Sequence, residues 1–182
     1  MSAILLRNIS ADGSQKDILI DKGLIRKIEP AGACARWELA GDVEIMQCNG
    51  MVAIPGLVNM HTHAGMTLMK GVGEDMAFQQ WIDRIWDIEA GIDAEYIYWA
   101  TKVACIEMIK SGTTTFNDQY WHHAAGIRAA EEMGIRIATG YDFLDRFDPV
   151  ETSRQIDQCV AQTERFRSEA HDLAMYQLAF HA

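Results

Sequence analysis

His61 and His63 stand two residues apart at the end of the run Ile54-Pro55-Gly56-Leu57-Val58-Asn59-Met60-His61-Thr62-His63. Strand side chains alternate between faces, so a short buried strand carrying this run aims both imidazoles the same way. Two convergent neutral ring nitrogens suit a borderline-soft divalent cation, Zn²⁺ first among them, and a site with few protein ligands keeps room for a water. An ion held there lowers the pKa of that water toward about 7 and makes it a nucleophile at neutral pH. The spacing alone is weak, because six His in 182 residues give an accidental pair of this kind roughly one chance in five. The elements around the pair have to decide.

Those elements begin with a β-rich segment, residues 1–53. Residues 17–20 and 24–28 read as a hairpin around Asp21-Lys22-Gly23, with Gly23 supplying the positive φ of a short loop. Residues 42–46 form a further strand before the Asn49-Gly50 turn. Some fifty residues of strand and turn are too thin for a core of their own, so this segment packs on something else.

After His63 the apolar period changes. Residues 76–86, with Phe78, Trp81, Ile82, Ile85 and Trp86 at helical spacing, predict an amphipathic helix whose aromatics serve the core or a lid over a pocket. Asp93 caps a helix running to Lys110, with Ile97, Ala100, Ala104 and Met108 on one face and Gly112 as its stop. A strand over 113–118, a helix over 123–133, a strand over 135–140, a helix opened by Asp148-Pro149 and a strand over 173–180 complete the chain. Strand and helix thus alternate four times from Leu57 onward, which implies a parallel sheet, doubly wound or closed into a barrel. Polar residues collect just after the strands: His61 and His63, Asn117 and Asp118, Tyr141 and Asp142, His181. That clustering favours a (β/α)8 barrel, whose chemistry sits at the C-terminal strand ends. A full barrel takes roughly 250 residues, so residues 54–182 are expected to hold its first four βα units, with the remainder absent.

Composition narrows the class. With 49% hydrophobic and 23% charged residues the chain is an ordinary globular one, neither disordered nor membrane-spanning. The N-terminal apolar run is too short for a signal peptide, which predicts a cytoplasmic protein. A formal net charge of -10 argues against nucleic acid or an anionic membrane as partner. Cys34, Cys48, Cys105 and Cys159 are widely spaced without a C-x-x-C and read as reduced, buried thiols.

The proline-glycine strand with its His pair, preceded by the β-rich hairpin, resembles the amidohydrolase superfamily. The runs Ala64-Gly65-Met66-Thr67-Leu68-Met69-Lys70-Gly71 and Gly112-Thr113-Thr114-Thr115-Phe116-Asn117-Asp118 are similar to the branch of methylthioadenosine and S-adenosylhomocysteine deaminases, guanine deaminases and triazine chlorohydrolases. The resemblance implies an α/β fold: the N-terminal half of a metal-dependent (β/α)8 TIM barrel, preceded by part of a small β-sandwich. It implies His61 and His63 as the first two ligands of one divalent metal ion, Zn²⁺ foremost. It further implies Glu89 as an acceptor for ribose hydroxyls and His181 as a substrate contact after the fourth barrel strand. The family's third His ligand, its acid/base Glu, a further His and an Asp would all lie beyond Ala182, so no catalytic acid or base is assigned. Tyr141 stands where one deaminase type has an Arg for an anionic substrate end, and the last strand lacks the Lys of two-metal members. The expected reaction is hydrolytic deamination of an aminopurine nucleoside or related heterocycle, with chlorohydrolysis or cyclic-amide hydrolysis as the rival within the family.

Each assignment has a plainer competitor. Glu89 can be a solvated or capping carboxylate, Asp118 a cap for the next helix or a partner that orients an imidazole, and His181 a turn-ordering residue. His122 and His123 read as surface residues at a helix start, with Trp121 and His122 alternatively at a pocket mouth. His171 has no pattern around it. From another class altogether, the chain is an inactive piece or structural partner. Half a barrel leaves strand edges open, so homo-oligomerisation or pairing with a missing C-terminal half is expected.

Overall fold

Alternating apolar and polar residues build four strands near the N-terminus: β1 (Ala3–Ala11), β2 (Ser14–Asp21), β3 (Leu24–Pro30) and β4 (Val43–Gln47). They form one sheet in the order β3-β2-β1-β4, antiparallel but for β1 and β4. The computed structural model describes residues 3–33, 43–144 and 148–180. The β2–β3 hairpin turns on Lys22 and Gly23, with φ of 50° and 74°, the left-handed pair a two-residue loop requires. Leu5, Ile9, Ile18 and Cys48 are buried along this sheet. The buried Asp17 carboxylate accepts from the Asn8 and Gly32 amides at 3.0 Å each, satisfying donors that strand pairing leaves over. The chain divides into two compact units, Met1–Pro55 and Gly56–Ala182.

The second unit is an α/β structure. Strands β5 (Leu57–Thr62), β6 (Thr113–Asp118), β7 (Arg136–Phe143) and β8 (Ala174–Phe180) pair in parallel and in sequence order. Parallel neighbours need crossovers, and helices provide them: α1 (Phe78–Glu89) and α2 (Ala94–Lys110) after β5, α3 (His123–Met133) after β6, and α4 (Pro149–Ser168) after β7. Capping is as the residues dictate. The Asp93 carboxylate accepts from the Tyr96 amide at 2.8 Å and Asp148 from the Val150 amide at 2.9 Å, with Pro149 in the first turn. The stripe Ile97, Ala100 and Ala104 on α2 is buried as its spacing predicts. Cys105, Phe116, Ile127, Ala130, Ile135 and Ile137 form the core between α2, α3, β6 and β7.

Three expectations need correction. The strand bearing the His pair is not buried: Val58 and Met60 are more than half exposed, because among the described residues β5 is an edge strand paired with β6 alone. The aromatics of α1 are not mainly core residues either. Ile85 is buried, whereas Phe78 is 73% exposed and Trp86 lies at the surface. The helix also begins and ends later than its apolar spacing suggests, which makes Glu89 its last residue. Among the described residues Cys48, Cys105 and Cys159 are free and buried, and burial pushes the Cys105 thiol up to about 12, leaving it unreactive. Cys34 lies outside the described residues. Among the described residues no helix is long and apolar enough to cross a membrane.

Candidate metal and substrate site

At the C-terminal end of β5 the backbone leaves the sheet at His63 (φ -126°) and enters a 3-10 helix, Ala64–Met69. His61 is the strand's penultimate residue and His63 the first beyond it. Their rings still converge, centroids 4.9 Å apart and edge to face. The end of β6 holds this turn. Gln119 donates its amide to the Thr62 carbonyl at 3.0 Å, and the His63 Nδ1 lies 2.7 Å from the Gln119 carbonyl oxygen. A carbonyl can only accept, so Nδ1 carries the proton and Nε2 the lone pair, the tautomer a metal ligand needs.

Asp118 braces the same turn from below. Its Oδ1 accepts from the Ala64 amide at 2.7 Å and from the Thr62 hydroxyl at 2.8 Å, the residues on either side of His63. The carboxyl is 3% exposed. Burial pushes its pKa up to about 6; the Ala64 and Thr62 bonds and the nearby His63 pull it down, and Asp142 adds to the rise. Asp118 does not cap the next helix, α3; it acts on His63 through the chain on either side of the imidazole, at the first amide of the 3-10 helix.

Glu89 comes to the site through a residue the sequence reading missed. The Tyr120 hydroxyl donates to Glu89 Oε1 at 2.7 Å, and the Tyr120 ring centroid is 6.1 Å from that of His63. Tyr120 and Gln119 both directly follow a strand end, the position that drew attention to His63; that position was the available signal. His181 lies outside the described residues. His122 is exposed, adopts a left-handed backbone (φ 52°) ahead of α3, and its Nε2 lies 3.2 Å from the Ile92 carbonyl. With Trp121 it lines a cleft of about 590 Å³. His123 is half-buried rather than free at the surface: it packs on the Tyr176 ring, centroids 5.4 Å apart. Burial first, then His122 and Arg165, lower its pKa to about 4. Tyr141 donates its hydroxyl to Gln158 of α4 at 2.7 Å. His171 stacks on Phe166 at 4.3 Å and meets Glu131 at 3.2 Å, a packing role.

Among the described residues no group of three His, Cys, Asp or Glu side chains converges on one point. Two imidazoles with centroids 4.9 Å apart are donors of the type a divalent cation takes, and the Nδ1 of His63 is directed at the Gln119 carbonyl.

The amidohydrolase family model matches residues 52–182. The 5'-deoxyadenosine deaminase of Methanocaldococcus jannaschii is 40% identical over 154 residues, which cover 84% of this chain and 36% of that protein. Among solved structures, a zinc-complexed atrazine chlorohydrolase from Arthrobacter aurescens superposes with a TM-score of 0.74 at 21% identity, covering 97% of this chain and 46% of that one. An adenosine deaminase from Xanthomonas campestris with bound zinc gives 0.71 at 24% identity, with 98% and 42% covered. The chain thus spans less than half the length of each of these three proteins.

Proposed function

The chain belongs to the amidohydrolase family, and on that premise we propose that it supplies the first four βα units of a (β/α)8 barrel that deaminates an aminopurine nucleoside. The observation that carries the reading is the convergence of the His61 and His63 rings at a parallel strand's C-terminal end, with the His63 tautomer fixed by the Gln119 carbonyl. The deaminase name of the curated relative supports the reaction and the choice of nucleoside; the zinc of the two structural neighbours supports the metal. Residues 1–55 contribute one sheet of a small β-sandwich, the second sheet and the closing barrel strands coming from residues outside this chain.

When bound, one divalent ion, Zn²⁺ first, supplies Lewis acidity that lowers the pKa of a water beside the substrate. This chain's own part is to hold and orient. His61 and His63 offer two imidazole nitrogens, the Gln119 carbonyl accepts from Nδ1 of His63 so that Nε2 carries the lone pair of the neutral ring, and Asp118 fixes the turn between strand and 3-10 helix. The family resemblance supports Glu89 as the acceptor for sugar hydroxyls and His181 as a substrate contact. The acid/base Glu that moves the water proton to departing ammonia, and the remaining ligands, lie in the other half of the barrel.

Ammonia release from adenine, guanine and their nucleosides by the zinc-loaded, complete enzyme tests the proposal. Release from at least one nucleoside is expected. No release across the panel would defeat it, and chloride released from a chlorotriazine with no ammonia from any purine would replace deamination by dehalogenation.

A further inference from the structure

Glu89 occupies a place that helix energetics do not favour. It is the last residue of α1, where a carboxylate faces the negative end of the helix dipole. A glutamate there has three rotatable bonds and every reason to turn into water. Instead it is half-buried and takes the Tyr120 hydroxyl at 2.7 Å, across 31 residues of sequence.

Tyr120 has little room to be anything but a fixed donor. Its ring is 4% exposed and packs with Ile97 and Ala125. It lies so close over Gly65 that a Cβ at that position would come within 2.2 Å of the ring. Burial first, then the Glu89 carboxylate, raise its phenol well above the usual 10, so the proton is retained at every working pH. A carboxylate offers about four lone-pair sites. Tyr120 uses one on Oε1, and among the described residues Glu89 Oε2 accepts no hydrogen bond. The rigid aromatic ring that holds Glu89 by its hydroxyl has its centroid 6.1 Å from the His63 ring, so the carboxylate is tied to the strand end that carries the His pair.

We propose that Tyr120 is a positioning residue that aims the Glu89 carboxylate at two adjacent hydroxyl donors of the substrate, the vicinal diol of a ribosyl group. The proposal rests on the nucleoside deaminase reading above and deepens it. Two hydroxyls on neighbouring carbons match the spacing of carboxylate oxygens, and a carboxylate held by a neutral donor keeps its charge for that task. The competing account, that the bond only anchors the end of α1, makes a different prediction for substrates that lack the diol.

The test compares adenosine with 2′,3′-dideoxyadenosine in the zinc-loaded, complete enzyme, with Tyr120→Phe as the variant. Removing one hydroxyl leaves the ring packing in place. The wild type is expected to show a KM for adenosine about tenfold below that for the dideoxy compound. In Tyr120→Phe the adenosine KM should rise about tenfold with kcat changed less than about twofold, and the dideoxy KM should stay where it was. An unchanged adenosine KM, or an equal rise for both nucleosides, overturns the role of Tyr120 and leaves anchoring. A wild type that deaminates both nucleosides with equal KM overturns the diol contact of Glu89, and Tyr120's role with it, while deamination stands. No ammonia from either nucleoside overturns the deaminase reading itself. Should Tyr120→Phe fail to fold, Glu89→Gln makes the same comparison with a near-isosteric side chain at the helix end, with the same loss of discrimination expected.

Discussion

The position of His63 is set by groups far from it in sequence: the Gln119 carbonyl 56 residues on and the Asp118 carboxylate that grips Thr62 and Ala64. Truncating Asp118 would strand the buried Ala64 amide, while the Thr62 hydroxyl keeps the Asn117 carbonyl as an acceptor at 2.9 Å. Asp118→Ala is therefore expected to cost about 2–3 kcal/mol in urea unfolding, and Asp118→Asn, which keeps an acceptor at the same place, distinctly less. Equal losses would mean that the charge, not the acceptor, is what matters. Two imidazoles are half or less of a typical ligand set, so the isolated chain should bind zinc weakly in calorimetry, and His61→Ala with His63→Ala should remove what binding there is. Tight stoichiometric zinc would contradict the division of the site between two halves. The His pair was legible in the sequence because strand periodicity is local. Gln119, Tyr120 and the contact made by Asp118 were not, since each acts across 31 to 56 residues, and no local pattern announces such a contact.

Helix starts were the most readable elements, since an Asp side chain and a proline announce them through local chemistry, as at Asp93 and Asp148. Burial was less so. Hydrophobic spacing shows which residues of α1 share a face but not how much of that face finds a partner, and Phe78 and Trp86 stay exposed. His123 was misread for a related reason: nothing near it in sequence reveals that β8 brings Tyr176 against its ring. Its burial has a measurable consequence. The folded pKa, about 4, lies below the 6.5 of an unconstrained imidazole, so between these values the unfolded chain binds the extra proton. Stability from this group is full above about pH 6.5 and is lost as pH falls toward 4. His123→Gln, facing the same His122, Arg165 and Tyr176, should lose less on acidification, narrowing the fall in Tm from pH 7 to pH 4.5 by about 5 °C. Parallel profiles for the two proteins would show that His123 protonates without penalty.

At the scale of the whole molecule, the parallel sheet decides what the chain can do alone. Among the described residues its two outer strands, β5 and β8, each have one neighbour, and both carry apolar side chains that are more than half exposed: Leu57, Val58 and Met60 on β5, Met175 and Leu178 on β8. Parallel sheets are stable when covered on both faces, and unpaired edges invite further strands. The family's fold meets both needs with more βα units, and this chain covers 36% of the deaminase it matches. Supplied by itself, the chain should meet them with copies of itself. Light scattering after size exclusion is expected to show association that grows with concentration above about 10 μM, and purine turnover should be absent. Co-expression with the C-terminal half of a deaminase relative should shift the population to a defined complex, because the same edges then pair with the strands they are shaped for. A monodisperse monomer that unfolds in one cooperative step would mean that these edges are already protected, and the need for further strands would fall with it.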